Sequence, residues 1–469
     1  MDKSDFAGMK ILIMGLGLNG GNVEAALYLA KCGAELTVTD LRDEKTLAPS
    51  IERLAGFPVR YVLGKHETKD FIEADMVIKN PDVKPDSPFL KAARRIETDI
   101  SLFLYANPAR LFAVTGSKGK SSTASALFHV LNEYKKSRPS KEPVFSGKVR
   151  LGGNITRSPL SFLDELEEGD DAVLELSSWQ LGDLRGRDLL KPRTAIITSI
   201  MRDHQDWYGS MEAYVADKRF IYRNQNEEEA TVACDDEWGR SFLRESRGRP
   251  LVYSSEPLAE SIRGGWILGH DGPGFANLHG KIEEVVPMRL LVPGAHQKQN
   301  LLAASLALLD IGMPSDYIRE SLGRFPGLEH RLEFFHEKSG IRFYNDSTAS
   351  IPEAAAAAIR AFGKPPVLVT GGTDKELDFT PLALAADEAK AVILLAGTGT
   401  AKLKALLDKN GTRYKGPFDS LEAAVYSSLE AAGPGDSVVL SPGSASFGMF
   451  ANEFDRGRKW KEEVKKLAH

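Results

Sequence analysis

The sequence has little cysteine, no long apolar run and no excess of charge of one sign. Two cysteines in 469 residues, Cys32 and Cys234, exclude a disulfide framework and point to a reducing compartment. Neither lies near another Cys or His at metal-ligand spacing, so both read as buried small residues. No stretch approaches the roughly 18 consecutive apolar residues of a membrane span, and the N-terminal MDKSDFAGMK has no signal-peptide apolar core. A cytoplasmic location without membrane insertion is expected. Lys plus Arg number 60 against 65 Asp plus Glu, a net charge of −5, which gives no basis for nucleic acid as a partner. No internal repeat is present, and the alanine run 354–358 reads as helix.

What is present is glycine where strands turn into helices. Leu111–Val114 is a short apolar run, followed by Thr115-Gly116-Ser117-Lys118-Gly119-Lys120-Ser121-Ser122-Thr123, and Ala124–Tyr134 carries helical periodicity. Strand, glycine turn and helix start together make an anion site, because unpaired N–H groups and the helix dipole converge. In that frame Gly116 and Gly119 admit a close phosphate, Lys120 reaches the β- and γ-phosphates, and Ser121 can ligate Mg²⁺. Val114 stands where the eight-residue phosphate-loop pattern has glycine, so this is a shortened loop.

Earlier in the chain, Lys10–Met14 is a strand, GLGLNG (Gly15, Gly17, Gly20) follows, and the strand Glu35–Thr39 ends at Asp40. This spacing is the dinucleotide fingerprint, which selects a diphosphate-bearing nucleotide without specifying nicotinamide; glycines used only for packing are the alternative. Met76–Lys79 reads as a further strand, with the Asn80-Pro81-Asp82 turn lining the same crevice. Pro88–Leu104 reads as helix with Ser87 as N-cap, and Tyr105–Arg110 as a linker. Lys135–Lys148 reads as a solvated basic loop, followed by a Gly152-Gly153-Asn154 turn.

The strand Asp171–Leu174 ends at Glu175, where a nucleotide-bound Mg²⁺ would find a carboxylate. Thr194–Ile200 ends in a polar loop carrying His204, and Ser210 caps a helix, Met211–Arg223, bearing Lys218. Residues 225–290 read as short strands and turns; Gly294–Asp310 and Met313–Leu322 as helices; 327–331 as a boundary loop. The final third alternates strands (Arg342–Asn345, Pro366–Thr370, Ala391–Leu395, Ser437–Leu440) with helices near 352–362, 401–408 and 420–432. Small and polar residues tip each strand, as at a ligand-binding sheet edge.

Taken in order, TGSKGKSS, LELSSWQL, RDHQDWY with DKRFIY, GAHQKQN, GLEHRLE, YNDSTA, GGTDKELDF and LSPGSASF resemble the Mur ligases over nearly the whole chain. LELSSWQL, GGTDKELDF and LSPGSAS resemble the glutamate-adding members in particular. The resemblance implies an α/β protein of three domains: 1–105, Rossmann-like, for the UDP-substrate; 106–326, a P-loop ATPase with a mostly parallel sheet; and 327–469, Rossmann-like, for glutamate. It implies a monomer whose substrates are ATP, glutamate and UDP-N-acetylmuramoyl-L-alanine, joined through an acyl phosphate, with two Mg²⁺ sites. Lys120, Glu175, His204 and Lys218 are then catalytic, and Ser121, Glu175, His204 and a Lys218 carbamylated by CO₂ hold metal.

Residue by residue, Gly116 to Ser122 with Asn300, Arg331 and Asp346 would meet ATP. Gly17, Leu18, Asn19, Asp40, Arg42, Asn154, Ser177 and Gln180 would meet the UDP-substrate, and His204, Ser350, Lys375, Ser446 and Phe454 glutamate. The chain departs from the family pattern at Thr348 (commonly Lys), Ser350 (commonly Thr), Glu453 (commonly aromatic, here displaced to Phe454) and Asn80-Pro81-Asp82 (commonly Ser-Pro-Gly). The first three touch the amino-acid pocket and keep an L-glutamate-adding variant open. Two other classes are a nicotinamide-dependent oxidoreductase using GLGLNG and a non-catalytic nucleotide-gated module. The first has no separate catalytic set in the chain; the second would tolerate loss of Glu175 or His204.

Overall fold

The computed structural model describes residues 3–18, 20–137, 145–154, 157–269 and 271–467. Three sheets organise it. The N-terminal sheet is wholly parallel, ordered Val59–Leu63, Glu35–Asp40, Lys10–Met14, Met76–Lys79, Ile96–Glu97. Its order reverses beside Lys10–Met14, so the crevice opens where GLGLNG leaves that strand. Among the described residues the central sheet has nine strands. Arg110–Thr115 lies between Asp171–Glu175 and Thr194–Ile197, all parallel, while the far edge, Gly274–Asn277 and Ile282–Val286, is antiparallel. Phe112, Ala113 and Val114 are fully buried, which is why this run is apolar throughout rather than alternating.

The third sheet has, among the described residues, six strands, parallel except for the edge pair Glu333–Lys338 and Ile341–Asn345. The chain forms two compact units: Met1–Val286 with Gln299–Ser321, and Pro287–Lys298 with Leu322–His469. The first two sheets belong to the former and share one apolar core, in which Phe103 packs edge-on against Phe162. The third has its own cores, with Trp460 of the helix Glu453–Leu467 fully buried and its indole N–H donated to the Tyr344 carbonyl.

Several sequence expectations are corrected. Pro88–Leu104 is not one helix. Leu90–Ala92 is a single 3-10 turn, Ile96–Glu97 joins the sheet beside Val77 and Ile78, and the helix is Asp99–Ala106. Thr98, not Ser87, caps it, through a reciprocal bond with Ser101. Ladder bonds at a sheet edge and a good cap outweigh the helical periodicity. Lys135 is buried against Asp171 at 2.7 Å rather than solvated, and 138–144 lie outside the described residues. The helix read over Met211–Arg223 is Met211–Lys218, followed by a 3-10 turn at Arg219–Ile221. Cys32 and Cys234 are only partly buried. The 225–290 stretch also contains an unanticipated helix, Glu237–Glu245, capped by Asp236. No helix among the described residues is long and apolar enough to cross a membrane.

Candidate active site

The helix Lys120–Ser137 begins directly at the phosphate-loop lysine, so the positive end of its dipole meets the loop. Gly116 and Gly119 have φ of 144° and 90°. A Cβ at Gly116 would collide with Thr198 Oγ1, and one at Gly119 with Asn300 Oδ1. Glycine is therefore required twice, by backbone angle and by neighbour. Asn300, on the helix Ala295–Asp310, is thus held against the loop, and its carbonyl accepts from Thr123 Oγ1. Ser117 is occupied: its hydroxyl donates to the Met201 carbonyl, accepts from the Met201 N–H, and lies 3.0 Å from the Tyr214 hydroxyl. Its backbone is engaged as well: the N–H donates to the Ser199 carbonyl at 2.9 Å. Ser121 and Ser122 follow in the first helical turn, Ser122 buried.

Lys120 Nζ folds back onto the Gly116 and Ser117 carbonyls. Lys218, 1% exposed, donates to the same Gly116 carbonyl at 2.9 Å and stands over the Tyr214 ring. Burial first, and the Lys120 charge second, push the Lys218 amine down to about 7. Glu175, 2% exposed, pairs across the sheet with Val114. One of its oxygens accepts from Asn154 Nδ2 at 2.9 Å; the other is buried without a hydrogen-bond partner. An orphaned carboxylate oxygen beside a phosphate loop fits a divalent cation. His204 sits in the left-handed region (φ 50°) and its ring lies 4.8 Å from that of Trp179, itself 4.8 Å from Trp207.

Around GLGLNG, the Asp40 carboxylate is engaged by the backbone: it accepts from the N–H of Gly17 and of Arg42. Leu18 and Arg42 are exposed at the crevice; Asn19 lies outside the described residues. Ser177 and Gln180 form a reciprocal cap on the helix Ser178–Gly182, which fixes both beyond Glu175.

In the other unit, Asp346 is buried, accepting from Ser441 Oγ and the Leu332 N–H, and burial raises its carboxyl to about 7. Arg331 is close enough to oppose that rise. Thr373 bridges to Ala445, bringing Lys375 over the Phe447 ring at 5.2 Å beside buried Ser446. Ser350 follows in the Asp346 turn, where Thr348 donates its hydroxyl to the His330 carbonyl. Phe454 packs edge-on against His330, ring centroids 5.6 Å apart. Sequence reasoning missed Tyr214, four residues before Lys218 on one helix face, and buried Arg456. The Arg456 guanidinium donates to Ser347 Oγ, the Ser347 carbonyl and the Ser444 carbonyl.

Fold and site define an α/β protein built to act on a nucleoside triphosphate, with a second, Rossmann-type parallel sheet at its N-terminal end. Residues 9–101 match the family described as Mur ligase MurD-like, N-terminal domain; 114–308 the Mur ligase middle domain; and 330–443 the Mur ligase, glutamate ligase domain. The chain is 40% identical to a UDP-N-acetylmuramoylalanine–D-glutamate ligase of Treponema pallidum (strain Nichols), over 98% of each chain. It is 39% identical to the protein of that name from Roseiflexus sp. (strain RS-1), again over 98% of each. The fold is shared with the UDP-N-acetylmuramate-alanine ligase MurC of Thermotoga maritima, at TM-score 0.55 and 19% identity over 98% of this chain and 99% of that one. It is shared also with MurF ligase of Thermotoga maritima in complex with ADP, at TM-score 0.52 and 17% identity over 100% and 97%. The chain belongs to the Mur ligase family.

Proposed function

We propose that this chain uses ATP to join D-glutamate to UDP-N-acetylmuramoyl-L-alanine, a step of peptidoglycan precursor synthesis in the cytoplasm. The observation that carries the chemistry is the convergence of Lys120 and Lys218 on the Gly116 carbonyl, beside the buried Glu175 oxygen that has no partner. Relatives named for this reaction, at 38–40% identity, support the substrate.

The alanyl carboxylate attacks the γ-phosphorus, the bond to ADP breaks, and an acyl phosphate forms. The glutamate amine then adds to the acyl carbon, loses a proton, and expels phosphate to leave the amide. The first step gathers negative charge and needs little proton transfer. Lys120 and the N–H groups of the loop neutralise the β- and γ-phosphates. Ser121, Glu175 and His204 would hold Mg²⁺, which supplies Lewis-acid polarisation of the phosphoryl oxygens when bound. Lys218 suits carbamylation: a buried amine held near neutrality can add CO₂ and release a proton, turning a cation into an anion. Asn154, Ser177 and Gln180 hold the muramoyl-alanine end; Gly17, Leu18, Asn19, Asp40 and Arg42 the uridine diphosphate; Asn300, Arg331 and Asp346 ATP. Ser350, Lys375, Ser446 and Phe454 hold glutamate.

The test is phosphate release from ATP and Mg²⁺ with UDP-N-acetylmuramoyl-L-alanine and either glutamate isomer. Release with D-glutamate is expected. Preference for the L isomer would assign Thr348 and Glu453 to a changed pocket, and release indifferent to both substrates would sink the reading.

A further inference from the structure

Lys79 ends the strand Met76–Lys79 and is 3% exposed, an unusual place for an ammonium. Three oxygens surround it. It donates to the carbonyls of Asn80 (3.2 Å) and Val83 (3.0 Å), and it is ion-paired with Asp183 at 2.9 Å. The first two acceptors belong to one turn, closed by Val83 N–H to the Asn80 carbonyl and by Asp82 N–H to Asn80 Oδ1. That turn leans on the glycine loop, since Asn80 Nδ2 donates to the Gly15 carbonyl at 3.1 Å. Asp183 directly follows the helix Ser178–Gly182, whose cap is Ser177 and Gln180.

One ammonium thus connects the turn that walls the N-terminal crevice to the helix of the central sheet. A second contact runs alongside it, Lys84 Nζ over the Trp207 ring at 5.3 Å. An ion pair so deeply buried is a poor stabiliser, because an apolar pair of similar volume escapes the desolvation cost. Burial raises the Asp183 carboxyl to about 6 even with Lys79 opposing the rise. The joint between the two sheets has other polar contacts besides this pair. Arg187 binds Glu97 and the Ile96 carbonyl, and Ser158 Oγ donates to Asp99 at 2.7 Å.

We propose that Lys79, gripped by Asp183, is a positioning residue that holds the Asn80–Val83 turn against the glycine loop and so sets the span of the cleft for the UDP-substrate. The inference rests on the crevice being the uridine diphosphate site. Lys79 touches no reacting atom; it acts through the turn and through the helix cap. Its loss should therefore weaken the nucleotide end of the substrate and leave the ATP chemistry alone.

The experiment compares Lys79→Met, Asp183→Asn and the paired K79M/D183L with wild type. Steady-state kinetics are read for each substrate, UDP binding by calorimetry and folding by thermal melts. Expected is an increase of about tenfold in KM for UDP-N-acetylmuramoyl-L-alanine and in Kd for UDP, with kcat and the ATP KM within about twofold. K79M/D183L should melt at or above the wild-type temperature and still show the raised KM, which separates positioning from packing should either single variant fold poorly. Wild-type KM in K79M/D183L, or an ATP KM that rises in parallel, overturns the proposal. Wild type that binds UDP but does not turn over defeats the ligase reading alone, and the calorimetric arm still reads this one. Wild type that binds no UDP overturns the inference itself.

Discussion

Lys120 and Lys218 donate to the same acceptor, the Gly116 carbonyl, at 3.1 and 2.9 Å. Burial first, and the charge of Lys120 on the shared carbonyl second, push the Lys218 amine down to about 7 beside the Tyr214 ring. A carbamate at Lys218 is the expected consequence. Labelling with ¹³C-bicarbonate should give a carbonyl resonance in wild type that is missing in Lys218→Arg, with turnover of that variant reduced by about 100-fold or more. A Lys218→Arg enzyme at wild-type turnover would remove the carbamate from the mechanism.

Glu175→Gln keeps the shape and the bond from Asn154 but removes the charge beside the loop. Phosphate release should fall by about 100-fold or more, since one preorganised charge is commonly worth that much. The melting temperature should not drop, because the buried oxygen it replaces has no partner to lose. A non-catalytic nucleotide-gated protein would instead keep its nucleotide response.

Gly119→Ala places a methyl group against Asn300 Oδ1 at a backbone angle unfavourable to alanine. ATP should bind at least about tenfold more weakly, by calorimetry, while UDP binding is unchanged. Equal loss of both would mean that the substitution disturbs the fold and not the loop alone.

Asp346 carries its proton to about 7 in the folded chain, against an ordinary value of 3.8. Between those values the folded state binds more protons than the unfolded state, so this group's contribution is full below pH 4 and is lost as pH rises toward 7. Asp346→Asn cannot ionise. Denaturant midpoints should show the variant gaining on wild type between pH 4 and pH 8; a constant difference across that range would contradict the assignment.

The GLGLNG crevice is expected to bind UDP and not NADH in parallel titrations. The opposite preference would revive the oxidoreductase reading, for which the chain has no separate catalytic set.

Much of this was legible in one dimension because the carriers are local. Leu111–Val114 is apolar throughout because a central parallel strand is buried on both faces, and the glycines after it mark the turn that phosphate requires. The Pro88–Leu104 helix failed for the converse reason. Ile96–Glu97 becomes a strand only because Val77 and Ile78 stand ready to pair with it, and no window of local sequence contains that partner. Lys218 shows the same limit at the site: as a helix lysine it reads as solvated, yet it is buried, and the carbonyl it donates to, Gly116, lies 102 positions away.

The sequence by itself determined the family and the strand, glycine turn and helix around Lys120, because spacing along one strand–turn–helix fixes those. Tertiary structure decided which groups lack partners, which lysine amine is pushed down to about 7, and that Lys79 is ion-paired with Asp183. Those outcomes depend on desolvation and on neighbours from distant segments, and both exist only once the chain has folded.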